Sequence, residues 1–482
     1  MKNHSVKRIA NIILSIVLLA LSQALSAQEK VWSLKECIDQ ALQKNISLNQ
    51  DILNNQINAI NYKQSKANQL PNLNLADQQS FDFGRNYNSG TSQNSNQNVS
   101  YNNLGLNSSI TLYNGLKNIN LVKEYRLSFE AGNLDIEKLK NDLMLNVVAA
   151  YMQVLFEYDA VKIAQDQIDI TTEHLNYTEK YVKAGSLPES NLLQMQAQLA
   201  SDNAAKVSVE NQLQIAKVIL MQFMEIPVTR FFEIQRPDVQ EIVPDVSMSA
   251  DEIYHTAENF LPEVKSVATK TAAAKYGLNV ARSEIKPKLT LSGSLGTNYS
   301  SANSLVSYHT VSNISNIGYL GSNPSELVYG PVTSTATNYA NYPFYRQFND
   351  NFGQSISLNL TVPIFNNLLY KSVIERSKVT LQVAKLNESV VKNQLRKNIE
   401  QAYTDQLAAS KNYIATKQQL FAEERSYRDI TIKFKAGLIN ITDFFVEKNN
   451  YSKALLAHTQ AKYEYVFKTK VVAFYTGNSI TQ

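Results

Sequence analysis

An internal duplication sets the tightest limit on what this chain can become. Shifted by 252 positions, the sequence meets itself without a gap from Leu112 to Gly185. Leu112-Tyr113-Asn114 falls on Ile364-Phe365-Asn366, Ala150-Tyr151 on Ala402-Tyr403, and Lys183-Ala184-Gly185 on Lys435-Ala436-Gly437. Upstream, a shift of 216 pairs "QLPNLNL" (69–75) with "IKPKLTL" (285–291) and Ala41 with Ala257. The difference, 252 − 216 = 36, puts a 36-residue insertion in the second copy between Pro287 and Ile364. One unit therefore occurs twice, over 28–229 and 249–482, joined by a connector at 230–248.

Both copies run through the same patterns. A helix is predicted over 33–68, with Leu34, Ile38, Ala41, Leu42 and Leu48 at helical spacing. Two strands of period two follow, one through Leu73, Leu75, Phe81 and Phe83, the other through Leu104, Leu106, Ile110 and Leu112. Between them "NYNSGTSQNSNQNVS" reads as a polar loop. The second copy repeats the strands with Leu289, Leu291, Leu295 and Tyr299, then with Ile356, Leu358, Leu360, Val362 and Ile364, and sets an extended loop over about 301–352 between them. Proline-free helical stretches come next, over 117–183 and 369–435, each about 100 Å long at ~1.5 Å per residue. Ile136, Leu139, Leu143, Val147, Ala150, Val154 and Val161 recur along the first in steps of three, four and seven, a coiled-coil seam. No core of its own can bury a helix of that length, so the long helices must pack against each other or against other chains. Each ends at "KAG", where a basic last turn suits the helix dipole and glycine supplies a left-handed turn. An antiparallel partner helix then starts, predicted over 189–225 and 441–474.

The first 27 residues read as a secretory signal peptide: Lys2, Lys7 and Arg8 precede the apolar core "IILSIVLLAL", and small residues around Ala27 offer a cleavage site. Cleavage there takes the formal net charge from +4 to +1, so the basic balance carries no nucleic-acid signal. Cys37 is the only cysteine, which excludes an internal disulfide, and its helical surroundings make it a packed residue. The five histidines are scattered, with no HExxH, GxSxG or Walker A motif. The reading is of a protein with no enzymatic activity, catalytic residue, metal or cofactor.

All four strands set apolar residues against Ser, Thr, Asn or Gly; a soluble half-buried sheet gives the same alternation, but four such strands in an exported chain point to a transmembrane barrel. Four strands cannot close one, because the smallest membrane barrels have about eight and open edges are not tolerated in lipid. Copies must therefore combine. A structural or adhesive surface protein built of long coiled coils is the alternative, with 301–352 as its binding element; it leaves the symmetric strands unexplained.

The duplicated helix–strand–strand–long-helix–helix unit, the Pro-x-Leu strand entries at Pro71 and Pro287, and the tips at 184–193 and 436–445 resemble the TolC-like outer-membrane factor family over nearly the whole mature chain. The resemblance implies a mainly α fold, with long antiparallel coiled-coil helices forming an α-helical tunnel. A transmembrane β-barrel of twelve strands is assembled from four per protomer in a homotrimer. It implies an exit duct in the outer membrane of a Gram-negative bacterium that reaches into the periplasm. Its partners are outer-membrane lipid, a periplasmic adaptor and an inner-membrane pump of the RND, ABC or MFS class, in a tripartite efflux or type I secretion system. By the same resemblance the adaptor-docking tips and periplasmic gate comprise Gly185, Leu187, Asn191, Gly437, Ile439, Thr442 and Asp443. Asp443 forms an acidic ring by threefold symmetry in that picture. Its own surroundings also suit a helix cap, with Asn440 at the N-cap and Asp443 three residues on.

Overall fold

The computed structural model describes residues 30–88, 93–228, 231–237, 248–321 and 324–478. The signal peptide and most of the 230–248 connector lie outside the described residues.

In the first copy β1 (Val31–Trp32) leads into α1 (Leu34–Lys44). Ser33 caps α1 by accepting the Glu36 N–H, while the Glu36 carboxylate accepts the Ser33 N–H. The predicted 33–68 helix is in fact two: α1 stops at Asn45 and α2 (Ile46–Ala67) begins, because the Asn45 side chain accepts the Leu48 N–H at 3.0 Å and starts a new helix. Next come β2 (Asn72–Asp82), the short strands β3 (Arg85–Asn88) and β4 (Gln93–Asn96), and β5 (Val99–Tyr113). The segment read as a polar loop is therefore partly a small antiparallel ribbon, β3 against β4. The 67-residue α3 (Lys117–Lys183) and the 35-residue α4 (Glu189–Phe223) complete the copy, and β6 (Glu233–Ile234) follows.

The second copy has α5 (Ala250–Phe260), capped by the Ser249–Glu252 box, then α6 (Pro262–Ser283) and β7 (Lys288–Ser300). Residues read as a loop form β8 (Ser304–Tyr319), β9 (Leu327–Asn341) and the short helix α7 (Phe344–Asp350). After them run β10 (Gly353–Thr361), which ends before the predicted Val362 and Ile364, α8 (Leu369–Lys435) and α9 (Ile441–Tyr475). The duplication reaches the element boundaries: α1 and α2 recur as α5 and α6 after 216 residues, and α3 and α4 as α8 and α9 after 252, with equal lengths each time.

The chain divides into two compact units, and the division falls inside α2, α3, α6 and α8. The helical unit comprises residues through 59, 126–273 and 382 onward. Its largest core gathers Leu143, Val147, Ala150 and Val154 of the predicted seam, with Ile136, Leu139 and Val161 packed against them. Cys37 is fully buried there, and burial pushes its thiol up to about 12. β6 pairs in parallel with β1, and the Tyr158 hydroxyl donates to the Glu233 carboxylate, so the start of the connector is fixed to the core of the first copy. The strand unit comprises 60–125 and 274–381 and holds one four-stranded antiparallel sheet in the order β10-β7-β5-β2.

Candidate functional site

Residues paired directly across an antiparallel ladder share a face, so the register shows what the sheet presents. Leu291 lies opposite Leu358 and Ile110; Leu295 opposite Leu106, which lies opposite Leu75; Gly293 opposite Ile356 and Ser108, the latter opposite Leu73. One face thus carries Leu73, Leu75, Leu104, Leu106, Ile110, Leu291, Leu295, Ile356, Leu358 and Leu360. The other carries Asn74, Asn107, Ser109, Ser292, Ser294, Asn298, Ser355, Ser357 and Asn359. Among the described residues much of the apolar face is left uncovered: Leu73 and Leu75 are 69% and 70% exposed, and Ile356 85%. Water is a poor solvent for such a surface and hydrocarbon a good one.

The apolar rows have sharp limits. From Leu289 to Leu295 they span about 20 Å at ~3.4 Å per residue, near the ~25 Å band of outer-membrane barrels. Above Leu75 and Leu106 the same face turns polar, where Asn102 donates to Asp77 at 2.9 Å and to Gln79 at 3.2 Å. Aromatic Phe81 and Tyr299 follow on that face, with Tyr299 packed on Phe344 at 5.0 Å between ring centroids. Among the described residues no helix is long and apolar enough to cross a membrane.

The helical unit holds the two tips. α3 ends with the Gly185 N–H donating to Val182 and the Ser186 N–H to the Tyr181 carbonyl; α8 ends with Gly437 donating to Phe434 and Leu438 to Lys433. Gly185 and Gly437 take φ of +70° and +73°, the left-handed turn expected of both, with open space around each. Gly185, Gly437, Thr442 and Asp443 are exposed, and Leu187, Asn191 and Ile439 are half-buried. The two copies differ in how the next helix starts. Pro188 opens α4 with no side-chain cap, whereas Asn440 caps α9 by accepting the Asp443 N–H at 2.8 Å and donating its own amide to Asp443 Oδ2 at 2.9 Å.

Beneath the second tip lies a cluster that sequence reasoning missed. Phe434, Ile441 and Phe444 pack with Met195 of the first copy, and His174 sits against Phe444 and Phe434 at 4.5 and 5.6 Å between centroids. Burial holds the His174 imidazole at about 4, so it is neutral at pH 7. One turn along α9, Lys448 is 1% exposed and donates to Asp202 Oδ2 and Thr171 Oγ1, both at 2.5 Å. Burial pushes the Lys448 ammonium below the usual lysine value, against the pull of Asp202. This ion pair joins α9 of the second copy to α3 and α4 of the first. The sequence signal was Lys448 at seam spacing, seven residues after Ile441 and four after Phe444.

A duplicated, mainly helical chain whose four-stranded sheet is apolar on one face and polar on the other has the features of an envelope channel protein. The outer membrane efflux protein family matches residues 37–224 and 253–478, one stretch per copy. The chain belongs to this family, a family of transport proteins, and is an outer-membrane protein of a Gram-negative bacterium. The pyoverdine export outer membrane protein OpmQ of Pseudomonas putida is 25% identical over 177 residues, 35% of this chain and 36% of that protein. The match thus spans about a third of the length of this curated relative. Among solved structures, CusC superposes with a TM-score of 0.74 at 15% identity, covering 92% of both chains. VceC of Vibrio cholerae gives 0.71 at 14% identity, covering 93% of this chain and 96% of its own. At such identities the likeness is one of fold.

Proposed function

We propose that the protein is the exit duct of a tripartite efflux or type I secretion system, and that three copies close one barrel and one helical tunnel. The observation that carries this reading is the sheet: four strands, an uncovered apolar face, and two edge strands, β10 and β2, with no partner among the described residues. Open edges are not tolerated in lipid, and three copies joined β2 to β10 leave none. The small polar face then lines a water-filled lumen through which cargo moves passively. The tips, with Gly185, Leu187, Asn191, Gly437, Ile439, Thr442 and Asp443, meet the periplasmic adaptor, which links them to the inner-membrane pump. Export of pyoverdine by a relative supports the efflux arm of this reading. At the narrow end three Asp443 carboxylates form a thin acidic ring while each still caps its own helix, since its partner Asn440 occupies only one carboxylate oxygen.

The test is the mass of the detergent-purified protein together with its conductance in planar bilayers. A trimer with stable ion channels is expected; a monomer, or a trimer that conducts nothing under any condition, refutes the duct.

A further inference from the structure

The duct reading leaves one large element unused, the β8–β9 ribbon. It pairs fifteen residues of β8 with fifteen of β9, and no third strand joins either among the described residues. A ribbon of two strands with both edges open is marginal in water and is a template for further pairing. Proteins usually blunt such edges with lysine, proline, bulges or inward charges. Here residues 304–341 contain no Lys, Arg or Asp and one Glu, Glu326 near the turn. The two interruptions present, Pro331 and the irregularity between Asn316 and Gly318, both lie toward the turn end. The base half, 304–312 and 333–341, has neither.

The ribbon faces also look unfinished. By register, Tyr308, Tyr329 and Tyr339 share one face with Thr310, Ser312, Thr333, Thr335 and Thr337, and those three tyrosines are 72%, 61% and 49% exposed. The opposite face is mostly small, with Ser307, Val311, Ser315, Gly330, Val332, Ser334 and Ala336, and among the larger side chains it carries Leu305 and His309. The ribbon is rooted beside the sheet edge that must meet another copy, because β9 leads through α7 into β10. Its root is rigid: the Gln347 side chain is fully buried, accepts the Ser300 N–H at 3.0 Å and donates to the Ser300 carbonyl at 3.0 Å and the Tyr342 carbonyl at 2.7 Å. An uncharged, open-edged strand pair anchored at a subunit seam fits one occupant best, the same ribbon of the next copy.

We infer that the base halves of the β8–β9 ribbons pair edge to edge between copies, β9 of one chain with β8 of the next. This rests on the trimeric duct. Threefold rotation sets β9 antiparallel to the neighbouring β8, so three ribbons alternate around the axis and leave no free edge in the base half. The ribbons then act as a clasp that holds protomers together outside the barrel.

The experiment uses the full-length protein, shown first to be a trimer by mass. Hydrogen exchange in 304–312 and 333–341 reads the outward amides: edge pairing slows them to the rate of the inner ladder, whereas an unpaired ribbon exchanges its outward half at once. In parallel, chains carrying Ser312→Cys are co-expressed with chains carrying Thr335→Cys, and with neighbouring positions of β9 to scan the register. Only a link between chains can form, since Cys37 is buried. The expected result is an oxidised dimer band at one register and slow exchange. Replacing 304–341 with a short Gly-Ser turn is expected to leave a trimer that dissociates at lower temperature. A trimer with fast outward amides and no cross-link at any register overturns the clasp and leaves the duct standing. Exchange that slows only in vesicles containing lipopolysaccharide also overturns it, and assigns the ribbon to the lipid surface. A protein that is never a trimer refutes the duct itself.

Discussion

Arginine placed on the two faces of the sheet separates a membrane barrel from a soluble one. Leu291 stands among the apolar rows, opposite Leu358 on one side and Ile110 on the other, while its neighbour Ser292 points to the opposite face between Ser357 and Ser109. At mid-bilayer a lipid-facing arginine costs about 2–4 kcal/mol, falling to ~0–1 near the interfaces. Three copies multiply this to about 6–12 kcal/mol per trimer for Leu291→Arg, and the same for Leu358→Arg. That is comparable to the whole ~5–15 kcal/mol stability of an ordinary domain. Leu295→Arg lies one row below the polar cluster of Asp77, Gln79 and Asn102, so it is expected to cost less. Ser292→Arg and Asn359→Arg enter a wet lumen and are expected to assemble nearly as well as the parent. The assay is the amount of folded trimer in outer-membrane fractions and the temperature at which it dissociates in detergent. Equal losses from Leu291→Arg and Ser292→Arg would show that neither face meets lipid.

Lys448→Met leaves Asp202 buried without its cation and is expected to destabilise the second tip by about 3–5 kcal/mol; adding Asp202→Leu recovers most of it, as read by protease sensitivity of the tip helices. His174 is neutral in the folded protein and titrates at about 4, so the unfolded chain binds the extra proton first as pH falls from 6.5. Stability is then lost between pH 6.5 and about 4, by up to about 3 kcal/mol at 1.36 kcal/mol per unit, and His174→Phe flattens that slope. Asp443→Asn is expected to reduce cation selectivity and block by multivalent cations in single channels, with the trimer intact; unchanged selectivity leaves Asp443 as a helix cap only.

Where burial imposes a period, the sequence was readable to the residue. The bounds of α3 and α8 agree with the predicted 117–183 and 369–435: the seam of α3 lies in the largest core, and α8 buries Leu395, Ile399, Ala409 and Tyr413 in smaller ones. The four strands were legible because each has one face that water rejects. The break at Asn45 was hidden in the first copy, yet the second copy displays it: Pro262 stands 216 residues after Ile46, at the first turn of α6, where proline is accommodated and a continuing helix is not.

Two other misses share a physical origin: the partner lies off the element that carries the residue. The role of Lys448 was not read at all, because its counter-ion, Asp202, belongs to the other copy of the repeat, 246 residues away. The β8–β9 segment was taken for a loop because its apolar residues fall on both parities, Leu305 and Val311 against Val306, Tyr308 and Ile314, so no single face of the isolated chain is rejected by water. Periodicity detects a boundary between core and solvent, and a two-stranded ribbon with no core behind either face has no such boundary within its own sequence. The same argument covers the edges of the main sheet. β2 and β10 read as ordinary strands, and only the count of four, too few to close a membrane barrel, carries the proposal that several chains combine.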